Sequence, residues 1–146
     1  MTPQIKTIIV DSSVAIKWFL HDESNQKALE IEDAFRNKSI LIAIPTLFFY
    51  EVGNILKTTT KSLRLNENQS TLAMKNFLEV DFIAYSSREL FIKALKKSID
   101  WDISFYDASY VALADYLNIP LYTADQKLLQ KAESNLVKDL KEFSFS

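Results

Sequence analysis

The chain has 146 residues, 48% of them hydrophobic, which is enough to bury the core of one domain without disulfides or a structural metal. Its 17 basic and 19 acidic side chains give a net charge of −2, so the overall charge indicates no polyanionic partner. The absence of cysteine and the single histidine, His21, exclude a thiolate zinc site and leave oxygen ligands for any metal. No apolar run approaches the roughly 18 residues of a membrane helix or resembles a cleaved leader. We therefore expect one domain, residues 1–146, in the cytoplasm.

The first third of the chain alternates strand and helix patterns. Thr7 to Val10 is a β-branched run, typical of a strand buried on both faces of a parallel sheet, and Asp11 follows it directly. Ser12 or Ser13 can cap the next helix, whose hydrophobic residues through Leu20 predict that it is largely buried. The following patterns predict a helix at 24–36, a strand at 40–44 and a helix at 46–57 that is entered through Pro45.

The remainder of the chain continues the alternation. It predicts helices at 66–79, 87–98, 105–117 and 125–131, and strands at 81–85, at 120–123 and near Leu136. A loop at 101–103 separates two of the helices, and Asn118 ends the second of them. Strands that alternate with helices imply right-handed crossovers and a parallel sheet covered on both faces. The predicted fold class is therefore α/β, a three-layer α/β/α arrangement around a central parallel sheet of about four or five strands.

Four acidic residues occupy unusual places in this pattern. Asp11 and Asp125 each follow a predicted strand, at the edge where open α/β sheets gather their ligands. Glu51 lies among apolar residues in the middle of a predicted helix, and Asp107 lies near the start of another. Helix capping is an alternative role for Asp107 and Asp125, because an acid in the first turn is favoured by the free N–H groups and the helix dipole. It does not account for Glu51.

Clustered carboxylates indicate a particular chemistry. They repel one another and raise each other's pKa unless a cation keeps them ionised, and Mg²⁺ and Mn²⁺ prefer such oxygen ligands. Ions of this kind promote phosphodiester hydrolysis by activating water and stabilising charge at phosphorus. Gly53 is the only glycine, which excludes the glycine-rich phosphate loops of nucleotide-binding proteins.

Four segments together resemble a known family, the PIN domains, and specifically the VapC-like toxin ribonucleases of type II toxin–antitoxin pairs. They are Val10-Asp11-Ser12-Ser13-Val14, Tyr50-Glu51-Val52-Gly53-Asn54, Ser104-Phe105-Tyr106-Asp107-Ala108 and Tyr122-Thr123-Ala124-Asp125. The resemblance spans about residues 8–129. It implies that the catalytic metal ligands for Mg²⁺ or Mn²⁺ are Asp11, Glu51, Asp107 and Asp125, with Ser13 and Thr123 as polar supporting residues. It also implies a PIN-like fold whose first strand lies in the middle of the sheet.

The resemblance implies partners as well. VapC-like proteins are endoribonucleases that usually form homodimers and are silenced by a small antitoxin, so we expect RNA as substrate, a second copy and an antitoxin. The sequence does not separate a toxin from a housekeeping RNA-processing enzyme. Two other classes stay open: a catalytically silent PIN-like RNA-binding or interaction module, and a phosphotransfer domain with Asp11 as nucleophile. The latter matches poorly, because Asp11-Ser12-Ser13 lacks the second acid of such phosphatases.

Basic and aromatic side chains suggest where RNA would lie. Lys57, Lys61 and Arg64 follow Glu51 in a predicted threonine-rich connection, and Lys17 lies near the first acid. All four are candidate contacts to an RNA backbone, although a solvated surface explains them equally. Aromatic residues at helical spacing could stack bases but more often form a core or a dimer interface. These residues are Trp18, Phe19, Phe48, Phe49 and Tyr50.

Overall fold

The computed structural model describes residues 4–145, apart from the side chain of His21. Its strands are β1 (Lys6–Val10), β2 (Ile40–Pro45), β3 (Ile83–Tyr85), β4 (Leu121–Thr123) and β5 (Val137–Asp139). They form one five-stranded sheet in the order β3-β2-β1-β4-β5, and every pairing is parallel. The predicted α/β class, the parallel sheet and the central position of the first strand are confirmed.

Helices fill the connections between the strands. They are α1 (Ser12–Ala15), α2 (Gln26–Arg36), α3 (Leu47–Lys61), α4 (Glu67–Glu79), α5 (Arg88–Trp101), α6 (Phe105–Leu117) and α7 (Gln126–Lys131). Short 3₁₀ helices lie at Ile16–Trp18, His21–Glu23 and Leu140–Glu142. Within the described range, no helix is both long and apolar enough to cross a membrane.

The central strands are covered on both faces. Ile8, Ile9 and Val10 of β1 are consecutive and fully buried, as are Ile42, Ala43 and Ile44 of β2. Since successive side chains of a strand point to opposite faces, burial of consecutive residues means that both faces of the sheet are packed. Asp11 and Thr123, at the C-terminal ends of β1 and β4, are polar residues that remain buried at the edge of this core.

The helix after β1 differs from its prediction. Only α1 is α-helical, and the chain then tightens into a 3₁₀ turn that ends at Trp18. The cap is Asp11 rather than Ser12 or Ser13, because the Asp11 carboxylate accepts the Ser13 backbone N–H at 3.1 Å. Trp18 is partly buried and donates its indole N–H to the Ala28 carbonyl at 2.9 Å. This contact with α2 fixes the tightened turn, and no local pattern predicts it.

Helix α3 continues four residues beyond its predicted end at Lys57. Three consecutive threonine hydroxyls, those of Thr58, Thr59 and Thr60, each donate to the carbonyl four residues earlier at 2.7–3.0 Å. The polar groups of these β-branched residues are thereby satisfied within the helix, which the threonine-rich composition did not indicate. Lys57 and Lys61 consequently lie on a helix rather than in a connection.

Two other helix ends use a left-handed residue without glycine. Asn118 (φ 53°) ends α6, as predicted, and Asp102 (φ 51°) ends α5. Asn and Asp tolerate this conformation better than other side-chain-bearing residues do. Helix α5 thus includes Trp101, where a loop was predicted.

Candidate active site

The C-terminal ends of β1 and β4 bring polar groups from distant parts of the chain together. These two strands are neighbours in the sheet, with Val10 opposite Tyr122. Asp11 therefore lies beside Thr123, although 112 residues separate them. Asp125 follows at the start of α7, Asp107 lies in the first turn of α6, and Glu51 lies in α3.

Asp11 is the most constrained of these acids and is only 3% exposed. Its Oδ2 accepts the Thr123 hydroxyl at 2.5 Å, and that hydroxyl accepts the Asp125 backbone N–H at 3.0 Å. Its Oδ1 accepts the Ser13 hydroxyl, which accepts the Ala124 backbone N–H at 3.0 Å. Two parallel chains of hydrogen bonds thus connect the Asp11 carboxylate to the turn between β4 and α7.

Glu51 is held by residues from the same two regions as the other acids. Its Oε1 accepts the Tyr110 hydroxyl at 2.6 Å, and the side chain of Ser12, next to Asp11, lies close enough to lower the pKa of Glu51. Tyr110 lies three residues after Asp107 on α6, on the same face of the helix, and is 1% exposed. The buried phenol therefore bridges α6 to α3 at the level of the acids.

Burial and mutual repulsion raise the pKa values of three of the acids. Burial raises the pKa of Asp11 to about 6, with smaller contributions from the charges of Asp107 and Glu51. Burial first, and then the charge of Asp107, raises the pKa of Glu51. Burial and the charge of Asp125 raise the pKa of Asp107. All four acids are therefore electrostatically coupled, each to at least one other, in one region of the molecule.

The capping alternative applies to only one of the two candidates. The cap of α6 is Ser104, whose hydroxyl accepts the Asp107 backbone N–H at 3.0 Å, so the Asp107 carboxylate is not used in that way. Asp125 does cap its helix, because its Oδ1 accepts the N–H groups of Lys127 and Leu128 at 3.0 and 3.3 Å. One Asp125 oxygen thus has a structural role of its own.

Mg²⁺ or Mn²⁺ fits the chemistry of these donors. They are all oxygens, and a cation would offset the burial and repulsion that disfavour their charged forms. Among the side chains that the structure describes, no three acidic groups lie closely enough together to hold one ion jointly. Mg²⁺ takes only one or two carboxylates directly and keeps several waters, so such a grouping is not a condition for binding. Ligation by Asp11, Glu51, Asp107 and Asp125 stays a prediction.

Comparison with known proteins identifies the family. The family model described as the PIN domain matches residues 8–134. The chain belongs to the PIN-domain family. It is 30% identical over 121 residues to Ribonuclease VapC9 of Mycobacterium tuberculosis. The match covers 83% of this chain and 87% of that protein.

Solved structures show the same fold. The crystal structure of PAE2754 from Pyrobaculum aerophilum has a TM-score of 0.67 and 24% identity, and the match covers 93% of this chain and 92% of that one. A toxin–antitoxin complex from Klebsiella pneumoniae contains a chain with a TM-score of 0.63 and 17% identity, covering 93% of this chain and 99% of that one. At these identities the likeness concerns the fold alone.

The predicted RNA contacts of this PIN domain lie in different environments. Lys57 and Lys61 are exposed on α3, and Lys17 is partly buried in the 3₁₀ turn after α1. Arg64 pairs with Asp22 at 2.7 Å and with Glu23 at 2.9 Å, so an RNA phosphate would compete with two carboxylates for its guanidinium. Contact with RNA stays a prediction for all four.

The five aromatic candidates divide into two groups. Phe48 is fully buried, and Trp18, Phe19 and Phe49 pack around it and Phe77, with ring centroids 5.4–6.1 Å apart. These four belong to the core of the PIN domain, which is the alternative that the sequence left open for them. Tyr50, in contrast, is 82% exposed.

Sequence reasoning did not find Tyr110 or Ser12. Tyr110 lies in a helix rich in alanine and aromatic residues, where the pattern predicts that a tyrosine belongs to the core. The available signal was its spacing, three residues after Asp107, which places both side chains on one face of α6. The sequence indicated Ser12 only as a candidate helix cap, whereas its side chain also lowers the pKa of Glu51.

Proposed function

We propose that this PIN domain is a metal-dependent endoribonuclease that hydrolyses RNA phosphodiester bonds with Mg²⁺ or Mn²⁺. The observation that carries the proposal is the convergence of four acids at one edge of the sheet. Asp11 is buried and linked through Thr123 to Asp125. Glu51 is bonded to Tyr110, one turn after Asp107. A buried carboxylate close to three partly buried ones is costly to ionise unless a cation offsets the charge. Relatives at 30% identity that are named VapC ribonucleases support the same chemistry.

The residues of the site divide into ligands and positioning groups. Asp11, Glu51, Asp107 and Asp125 would hold the metal, which would supply an activated water and stabilise negative charge on the phosphate. Ser13 and Thr123 orient Asp11, because their hydroxyls donate to its two oxygens. Tyr110 orients Glu51 in the same way, and Ser12 stabilises the charged form of Glu51. Fixed orientation matters because ligands that are already placed lose little freedom on binding.

We assign the nuclease to the toxin half of a toxin–antitoxin pair, acting in the cytoplasm as a homodimer with a small antitoxin as its partner. One solved structure with this fold is a toxin–antitoxin complex from Klebsiella pneumoniae, and another is VapBC-1 from nontypeable Haemophilus influenzae. The toxin assignment predicts that induction of the chain in a bacterial host stops growth. Induction of Asp11→Asn should leave growth unchanged.

The nuclease is tested with total cellular RNA and the purified chain in Mg²⁺, in Mn²⁺ and in EDTA. Wild-type protein should give discrete fragments only with metal, and Asp11→Asn should give none. Asp81→Asn is a matched control, because Asp81 is an exposed acid between α4 and β3, and it should cleave like the wild type. Undiminished cleavage by Asp11→Asn would contradict the proposal. A chain that binds RNA but takes up no Mn²⁺ would instead be an RNA-binding module.

A further inference from the structure

Helix α3 presents one polar stripe that begins at the candidate site. Tyr50, Asn54, Lys57 and Lys61 are spaced by four, three and four residues, which places them along one face of the helix. All four are exposed. The stripe runs for eleven residues, or about 16 Å, away from the neighbourhood of Glu51.

A cavity opens where this stripe meets the site. Its volume is about 310 Å³, and it is lined by Leu47, Tyr50, Glu51, Asn54, Ile55 and Tyr106. Tyr50 is 82% exposed and Tyr106 is 60% exposed, so two aromatic rings from different helices, α3 and α6, border one opening. We call this cavity the tyrosine pocket.

We propose that the tyrosine pocket binds one unpaired RNA base beside the phosphate that is cleaved, while Lys57 and Lys61 hold phosphates further along the same strand. This inference rests on the proposed nuclease function and names a binding site for its substrate. Exposed aromatic rings are the usual platform for unpaired bases, because every base has a face that can stack on them. The Asn54 amide, with donors and an acceptor, can read the edge of that base.

Charge determines which part of a nucleotide enters the pocket. Among the residues that the structure describes, no lysine or arginine side chain lines the pocket, so a phosphate there would have no positively charged protein partner. An uncharged base does not need such a partner. The cations of the stripe begin one turn beyond Asn54, at Lys57, where the backbone of a strand leaving the pocket would pass.

The experiment measures binding apart from cleavage. All proteins carry Asp11→Asn, and a fluorescent single-stranded RNA of mixed sequence is compared with an abasic strand of the same length in Mg²⁺ buffer by anisotropy. We expect the strand with bases to bind between about fivefold and 100-fold more tightly. Tyr50→Ala and Tyr106→Ala should each remove most of this ratio. Lys57→Ala should weaken both strands alike.

Tyr116→Ala is the matched control. Tyr116 is also a half-exposed tyrosine of α6, but it lies near the far end of the helix and does not line the pocket, so its loss should leave the ratio unchanged. Equal binding of the two strands by the parent protein would overturn the proposal. A second result would also overturn it: both tyrosine variants keep the preference for the strand with bases, and sedimentation shows that each variant converts a dimer to a monomer. The two tyrosines would then contact a second copy of the chain.

The result is independent of the nuclease test. A preserved base preference in a chain that cleaves no RNA would keep the tyrosine pocket and overturn the nuclease. Metal-dependent cleavage without any base preference would keep the nuclease and overturn the tyrosine pocket.

Discussion

Tyr110 makes one hydrogen bond at the candidate site, from its hydroxyl to Glu51. Burial, together with the neighbouring charge of Glu51, raises the pKa of its phenol well above the ordinary value, so the hydroxyl remains a proton donor at neutral pH. The bond fixes one oxygen of the Glu51 carboxylate. Tyr110 is thus a positioning residue for Glu51.

Tyr110→Phe removes this hydroxyl and little else. We expect Mn²⁺ affinity, measured by calorimetry, to fall about tenfold, because residues that orient metal ligands commonly contribute that much. Tyr122→Phe is the control, since Tyr122 is equally buried but its ring packs against Phe143. Equal Mn²⁺ affinity in the two variants would show that the Tyr110 bond serves folding only.

The Asp11 carboxylate should make the metal-free protein less stable as pH rises. Its pKa is raised to about 6 in the folded state from 3.8 in the unfolded state, so the folded protein binds the proton more tightly. This stabilisation is complete below pH 3.8 and is lost as pH rises through about 6. The full effect is about 3 kcal/mol.

Urea unfolding in EDTA at pH 4.5 and 7.5 checks this prediction. Asp11→Asn does not titrate, so its stability relative to wild type should increase between the two pH values. Comparing the two proteins cancels the titration of groups that they share. A constant difference between them would mean that Asp11 is not perturbed by burial.

At the scale of the element, α3 contains one residue, Gly53, whose replacement should stabilise the helix. Gly53 lies in its interior, where glycine costs up to about 1 kcal/mol relative to alanine. A Cβ built at Gly53 meets nothing within 4 Å. Gly53→Ala should therefore raise the free energy of unfolding by roughly 0.5–1 kcal/mol, seen as a higher urea midpoint with an unchanged slope. A lower midpoint would reveal a constraint on this turn of α3 that the packing does not show.

The sequence predicted elements well where local signals decide them. The β-branched run before Asp11 gave β1, Pro45 marked the entry to α3, and Asn118 marked the end of α6. The prediction from sequence failed where a contact with another element determines the local structure. Trp18 leaves the α-helix to bond the Ala28 carbonyl, and nothing in the residues around Trp18 indicates that partner.

The candidate site shows the same division. Residues that follow strands, such as Asp11 and Asp125, were found because the sheet topology places strand ends together. The bond between Tyr110 and Glu51 spans 59 residues and depends on how α6 packs on α3, so no spacing in the sequence encodes it.

At the scale of the whole molecule, α5 leaves several large apolar side chains exposed to solvent. Leu90 and Ala94 face the interior, whereas Phe91, Leu95 and the 71%-exposed Ile92 and Ile99 face solvent. A contiguous apolar face of this kind usually marks an interface, and a patch repeated on an identical chain can pair with itself about a twofold axis. We therefore assign the proposed homodimer contact to α5.

Ile92→Arg places a charge in the middle of this face and should convert the dimer to a monomer in analytical ultracentrifugation. Leu78→Arg is the control, because Leu78 is a 59%-exposed leucine on α4, outside the α5 face, and its replacement should leave the mass unchanged. A wild-type chain that is already monomeric would contradict the assignment. So would an Ile92→Arg protein that remains a dimer, since burying an unpaired arginine in an apolar contact is unfavourable enough to disrupt it.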